Sequence, residues 1–165
     1  MNLSEKSLEK IESLIPRFPL KQSAVLPLLH IIQEEKGYIS KEDMEWIANK
    51  LAMEPINVYG LVTFYPMLRE KPTGRRHIKV CRTLSCALQG SYKLCQKLQE
   101  DLNCPLDGTS EDGNYTIEFV ECLASCGTAP VVQVDHTLYE NVTLEKVADF
   151  VNTIREETSN LTQNF

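Results

Sequence analysis

The sequence predicts an α+β or α/β protein in which an N-terminal helical bundle precedes a domain of β-α-β-β-β-α order. Up to about residue 68 the apolar residues recur every three to four positions, as on one face of a helix. After a stretch rich in proline, glycine and basic residues they alternate, as in strands. We therefore expect a helical bundle at 1–69, a linker at 70–76, a second domain at 77–157 and a flexible tail at 158–165.

Each of the four helices expected in the bundle has a start or stop signal. The first ends at Pro16, which cannot continue a helix. The second ends at Gly37, because glycine readily adopts the left-handed backbone that follows a helix. The third begins at Ser40, with Asp43 three residues later as in a capping box. The fourth opens with Pro55 at its first position.

The second domain is expected to contain four strands and two helices. In chain order they are strand 78–81, helix 91–102, strand 115–119, strands 131–134 and 137–139, and a last helix starting near Val147. Residues 104–114 read as a loop. The first strand, the helix and the next strand form a crossover unit, so these two strands should be parallel neighbours.

Composition and charge exclude several classes of function. The net charge of −6 argues against nucleic acid as a partner, because binding phosphates requires a basic surface. A basic stretch from Lys71 to Lys79 contains Pro72 and Gly74, and we expect a solvated linker there. The first residues have no apolar segment typical of a signal peptide, which predicts a cytoplasmic protein with thiols rather than disulfides. Any association with a membrane should be indirect, through a partner.

Four of the six cysteines form two close pairs that follow predicted strands. Cys81 ends the first strand and Cys86 comes five positions later, whereas Cys122 and Cys126 follow the second. Parallel strands end at the same edge of a sheet, so both pairs should meet there. Thiolates are soft ligands that hold iron in a [2Fe-2S] cluster or a tetrahedral zinc ion. These four cysteines are therefore the predicted metal ligands.

The spacing alone leaves three kinds of centre open. Zinc sites usually have two residues between paired cysteines and sometimes four. The plant-type ferredoxin spacing is not matched after Cys86, and a thioredoxin-type dithiol would need Cys-x-x-Cys. Small residues such as Ser85 and Gly127 should let backbone N–H groups approach sulfur, which favours a cluster. An iron–sulfur cluster is thus favoured over zinc and over a thiol–disulfide redox site.

With these residues in place, the chain resembles the small [2Fe-2S] subunit, also called the E or 24-kDa subunit, of the NADH:quinone oxidoreductase (complex I) family. The resemblance covers nearly the whole sequence and is strongest at residues 37–39, 60–65, 81–86 and 121–130. It implies a thioredoxin-like second domain whose four cysteines bind one [2Fe-2S] cluster. The ligands carried over by this resemblance are Cys81, Cys86, Cys122 and Cys126.

The resemblance also implies a partner and a host complex. Similar subunits dock on a flavoprotein that binds FMN and NADH, and they exchange single electrons with its flavin. This sequence has no G-x-G-x-x-G or Walker-type motif, so we expect FMN and NADH on the partner and no catalytic residue here. The helices at 1–69 would provide the docking arm, and the complex would lie peripherally on the cytoplasmic face of the inner membrane. NAD-linked hydrogenase or formate dehydrogenase is the alternative host, and a structural zinc module for assembly is the alternative of another class.

The remaining cysteines and histidines are not predicted to bind metal. Cys95 falls on the apolar face of a predicted helix and should pack as a small hydrophobic residue. Cys104 precedes Pro105 in the predicted loop. The histidines are isolated from each other and from both cysteine pairs, which gives no support to a Rieske-type site.

Overall fold

A computed structural model describes residues 3–162 of the 165-residue chain. The chain divides between Pro72 and Thr73 into two compact units. Residues 163–165, part of the expected flexible tail, lie outside the described residues. None of the helices within 3–162 combines the length and the apolar run that crossing a bilayer requires.

The first unit is helical. Its α-helices are α1 (Glu5–Leu14), α2 (Val25–Lys36), α3 (Lys41–Leu51) and α4 (Pro55–Phe64). Two short 3-10 turns, Ile15–Arg17 and Lys21–Ala24, connect α1 to α2. The largest fully buried side chains of this unit come from α1, α2, α3 and the α2–α3 connection, and they are Ile11, Leu28, Leu29, Ile32, Ile39, Ile47 and Leu51.

The helix ends in this unit form as their local signals indicate. Gly37 ends α2 with φ of 82°, in the left-handed region where glycine has no side chain to clash. Ser40 accepts a hydrogen bond from the backbone N–H of Asp43, and the Asp43 carboxylate accepts one from the backbone N–H of Ser40. This capping box satisfies two N–H groups that the start of α3 would otherwise leave unpaired.

The second unit is a mixed sheet with helices. Its elements are β1 (Arg76–Cys81), α5 (Leu84–Leu88), α6 (Ser91–Leu102), β2 (Gly108–Thr109), β3 (Tyr115–Val120), β4 (Val132–Val134), β5 (Thr137–Tyr139) and α7 (Val147–Thr162). The strand order across the sheet is β2-β3-β1-β4-β5. β1 and β3 are parallel, as the crossover unit predicts, and the other neighbours are antiparallel.

The core of this unit lies between one face of the sheet and the helices α6 and α7. Ile78 and Val80 of β1 and Ile117 of β3 belong to the same buried cluster as Leu98 of α6 and Ile154 of α7, and all five side chains are fully buried. α6 lies between β1 and β3 in the chain, and the two strands are parallel. Both strands therefore end at the same edge of the sheet.

Two short elements and one helix extension differ from the sequence expectation. The one-turn helix α5 and the two-residue strand β2 were expected to be loop, because neither is long enough to show a period. α7 continues to Thr162 and so includes residues 158–162 of the expected tail. The reason is that Thr158 is buried and its hydroxyl donates to the carbonyl of Ile154 one turn earlier.

The basic stretch after the first unit is also less solvated than expected. Arg76 and His77 are the first two residues of β1. The Arg76 guanidinium pairs with Asp135 and with Glu157, and only 12% of its side chain is exposed. β1 is the central strand of the sheet, so the composition of this stretch is a poor guide to its burial.

Gly74 gives a direct test of how closely the chain approaches β3. A Cβ atom at Gly74 would lie 2.8 Å from backbone atoms of Tyr115, and backbone cannot move aside as a flexible side chain can. We expect Gly74→Ala to lower the free energy of unfolding in urea by about 1 to 3 kcal/mol. Gly60→Ala is the control, because nothing lies within 4 Å of that position in α4 and alanine favours a helix. Equal stability of the two variants would contradict this packing.

Candidate metal centre

The two cysteine pairs lie at the same edge of the sheet. The parallel register of β1 with β3 ends with Cys81 opposite Val120, and Cys122 follows two residues later. The Cys81 Sγ is 3.7 Å from the carbonyl oxygen of Glu121, which is the residue between Val120 and Cys122. The backbone of β1 therefore delivers Cys81 next to the segment that carries Cys122.

Cys86 lies on α5, where the sequence had indicated a loop. It is the only buried residue of that helix, whereas Leu84 and Leu88 are 70% and 77% exposed. Its side chain is turned inward and its thiol hydrogen-bonds with that of Cys81. Both sulfurs share a small buried cluster with Val131. The short helix thus brings the first cysteine pair together.

Backbone N–H groups make the two buried thiols unequal. Burial by itself raises the pKa of Cys81, but hydrogen bonds from the backbone N–H groups of Thr83 and Leu123 outweigh it and the net pKa is lowered. Burial, followed by the hydrogen bond with Cys81, raises the pKa of Cys86 to about 11. Binding of metal by both must release the proton of Cys86.

The second pair lies on an exposed loop. The backbone N–H of Ala124 donates to Cys122 Sγ over 3.3 Å, and Ala124 adopts a left-handed backbone with φ of 59°. Cys126 begins a 3-10 turn that ends at Thr128. This turn contacts α5, the helix that carries Cys86. Cys122 and Cys126 are both exposed, in contrast to the buried first pair.

The donor set fits an iron–sulfur cluster. Four cysteines occupy one edge of the sheet, and the sulfurs of three of them accept backbone N–H hydrogen bonds, which stabilise negative charge on sulfur. These N–H donors belong to Thr83, Leu123, Ala124 and Val131. The sequence predicts that backbone N–H groups approach sulfur near small residues such as Ser85 and Gly127. It does not identify these four donors, because the direction of a backbone N–H group is not encoded by residue type.

Within residues 3–162, no three His, Cys, Asp or Glu side chains lie close enough together to hold a single metal ion. A [2Fe-2S] cluster spreads its four thiolates over two irons, two on each. The four cysteines fit such a cluster because they share one edge of the sheet and lie beside N–H donors. Their sulfurs need not converge on one point.

The other two cysteines lie apart from this edge. Cys95 is fully buried on α6 within the main core, where burial raises the pKa of its thiol to about 11. Cys104 belongs to the same core, and its Sγ is 3.3 Å from the carbonyl oxygen of Tyr115. Cys95 and Cys104 pack in the main core of this unit, whereas Cys81 and Cys86 belong to a separate small cluster with Val131. Both therefore lie in surroundings typical of packing cysteines.

Comparisons with known proteins agree with this arrangement. Residues 11–155 match the thioredoxin-like [2Fe-2S] ferredoxin family. The chain is 36% identical over 156 residues to the E subunit of the NADH-quinone oxidoreductase from Rickettsia conorii. This similarity covers 93% of each of the two chains. The chain is 35% identical over 147 residues to the protein of the same name from Mycobacterium bovis, which covers 89% of this chain and 58% of that one.

Among solved structures, a chain of an NAD+-reducing [NiFe]-hydrogenase has a similar fold, with a TM-score of 0.64 at 13% identity. The similarity covers 81% of this chain but 23% of the hydrogenase chain, so it concerns the fold alone. The family match spans both compact units and all four cysteines at the sheet edge. The protein is thus a member of the thioredoxin-like [2Fe-2S] ferredoxin family.

Proposed function

We propose that the chain is an electron-transfer subunit that carries one [2Fe-2S] cluster on Cys81, Cys86, Cys122 and Cys126. The observation that carries this proposal is the shared edge of β1 and β3, where a buried and an exposed cysteine pair lie side by side. When bound, such a cluster takes up and returns one electron at a time. The chain's own residues hold the thiolates, exclude water from one pair and direct N–H groups at sulfur.

The unequal exposure of the two pairs suggests a direction for electron transfer. Cys81 and Cys86 face the protein interior, with 4% and 3% exposure, whereas Cys122 and Cys126 face solvent. An electron carrier must bring its cluster close to the donor, so a partner would approach from the side of Cys122 and Cys126. The exposed Leu84 and Leu88 flank this edge and would add apolar contact area.

The partner in this proposal is a flavoprotein that binds FMN and NADH. The relatives are named as subunits of NADH-quinone oxidoreductase, which supports a place in a complex of this type. The chain would exchange single electrons with the FMN of that partner and would itself bind neither NADH nor FMN. Within such a complex it would lie peripherally on the cytoplasmic face of the membrane, held there by other subunits.

The helical unit would serve as the docking arm. α4 is rich in apolar residues, yet only Val58 and Val62 are buried, while Ile56, Tyr59 and Phe64 are exposed. Residues Ile39, Met44 and Pro55 line a groove of about 400 Å³ beside Ile56 and Tyr59. Several large apolar side chains exposed on one helix are typical of an interaction surface, so a partner surface would bury the exposed side of α4.

Reduction by NADH tests this function. The loaded chain should be reduced by dithionite whether or not its flavoprotein partner is present. NADH should reduce it only when that partner is added, because the chain has no flavin to accept hydride. The measurement is bleaching of the visible absorbance under anaerobic conditions. Reduction of the isolated chain by NADH, or no reduction in the presence of the partner, would refute the proposal.

A further inference from the structure

A carboxylate at the end of β5 clamps the loop that carries Cys126. The hydroxyl of Thr128 donates to Glu140 Oε1 over 2.6 Å, and the hydroxyl of Ser125 donates to the same oxygen. The two hydroxyl oxygens are themselves 2.7 Å apart. Ser125 directly precedes the 3-10 turn that contains Cys126, and Thr128 is the last residue of that turn. One carboxylate oxygen therefore holds both ends of the turn.

Backbone hydrogen bonds continue this clamp along the chain. The N–H of Asn141 donates to the carbonyl of Thr128 over 2.7 Å, and the N–H of Val142 donates to that of Pro130 over 3.0 Å. Residues 140–142 therefore run beside residues 128–130. Because β5 pairs with β4, the clamp ties the cysteine loop to the sheet.

We propose that Glu140 is a positioning residue for the [2Fe-2S] cluster, which it serves by fixing the turn that presents Cys126. The inference rests on the proposed function, since it concerns a ligand of that cluster. Cys126 is exposed, so its place depends on the backbone of the turn rather than on side-chain packing. The Ser125 and Thr128 hydroxyls lower the pKa of Glu140, which keeps it a carboxylate at neutral pH.

Two substitutions at Glu140 separate hydrogen bonding from charge. Both hydroxyls donate to a single oxygen, and the amide oxygen of glutamine can accept two hydrogen bonds. Glu140→Gln should therefore preserve the clamp and remove the charge, whereas Glu140→Ala should remove both. Glu156→Ala is the control, because it deletes an exposed carboxylate of α7 outside the cysteine loop.

The test follows the full-length loaded chain in three measurements: the rate at which a chelator bleaches the visible absorbance, the EPR g-values after dithionite reduction, and the reduction potential. Glu140→Ala should lose its cluster about tenfold faster and show altered g-values, since residues that orient ligands typically contribute a factor of this size. Glu140→Gln should bleach at the unaltered rate. Its potential should rise, because a negative charge near the cluster disfavours the added electron.

A third variant, Ser125→Ala with Thr128→Val, tests whether the clamp acts as a unit. It should bleach as fast as Glu140→Ala, and combining the two changes should add nothing further. If Glu140→Ala loads no cluster while Glu140→Gln loads normally, that outcome also supports the positioning role of Glu140.

Two outcomes would overturn the inference: unaltered bleaching and g-values in Glu140→Ala, or equal acceleration in Glu140→Gln and Glu140→Ala. If the unsubstituted chain loads no cluster, the proposed function itself fails, and that result is known before any variant is made. The two failures are therefore distinguishable.

Discussion

Replacing Cys86 by alanine is expected to abolish the visible absorbance and the EPR signal of the loaded chain. Alanine removes one of the four proposed thiolate ligands, and it would leave the cluster with an incomplete set of ligands. Cys86 is buried and hydrogen-bonded to Cys81, so the loss would also leave Cys81 without its partner. The measurement is iron and sulfide per folded chain after anaerobic reconstitution, with circular dichroism as the check on folding.

Cys95→Ala is the matched control for this experiment. Cys95 is a buried cysteine of the same unit, with a thiol pKa raised to about 11 like that of Cys86. Its loss should cost stability through the vacated volume and leave the cluster content unchanged. A full cluster in Cys86→Ala, or an empty site in Cys95→Ala, would mean that the ligand set is assigned wrongly.

Charged residues on the exposed side of α4 are expected to abolish co-purification with the flavoprotein. Phe64 is 74% exposed and Ile56 is 69% exposed, so Phe64→Glu and Ile56→Glu should fold without burying a charge. In a bound complex each would place an unpaired carboxylate in an apolar interface, which costs several kcal/mol. Affinity capture on a tagged partner, with cluster absorbance measured in the same sample, tests the effect.

The cluster absorbance should survive in both α4 variants, because α4 belongs to the helical unit and the cysteines belong to the other. Leu161→Glu is the control, since Leu161 is 40% exposed near the end of α7. Unaltered capture of both α4 variants would contradict the docking arm. Equal loss with Leu161→Glu would show that any added charge disrupts the complex.

The parts of the fold that have local signals were predictable from the sequence. Gly37, Ser40 and Asp43 mark helix ends through backbone conformation and hydrogen bonding that involve only near neighbours. The parallel pairing of β1 with β3 followed from the handedness of crossover units. The helix α5 could not be recognised, because five residues of mixed exposure carry no period.

The candidate site divides in the same way. Cysteines are visible in a sequence by residue type, and the strand topology indicated that both pairs should meet. The N–H donors from Thr83 and Leu123 depend on backbone direction in loops, which residue identity does not encode. Glu140 lies 14 positions after Cys126 with no motif around it, so only the folded chain reveals its contact with Thr128.

Metal analysis of the anaerobically purified full-length chain, together with EPR after dithionite reduction, tests the central claim most directly. If Cys81, Cys86, Cys122 and Cys126 hold a [2Fe-2S] cluster, each chain should contain about two iron and two acid-labile sulfide and give an EPR signal only when reduced. A colourless chain with one zinc, no sulfide and no EPR signal would contradict this account and favour a structural zinc site.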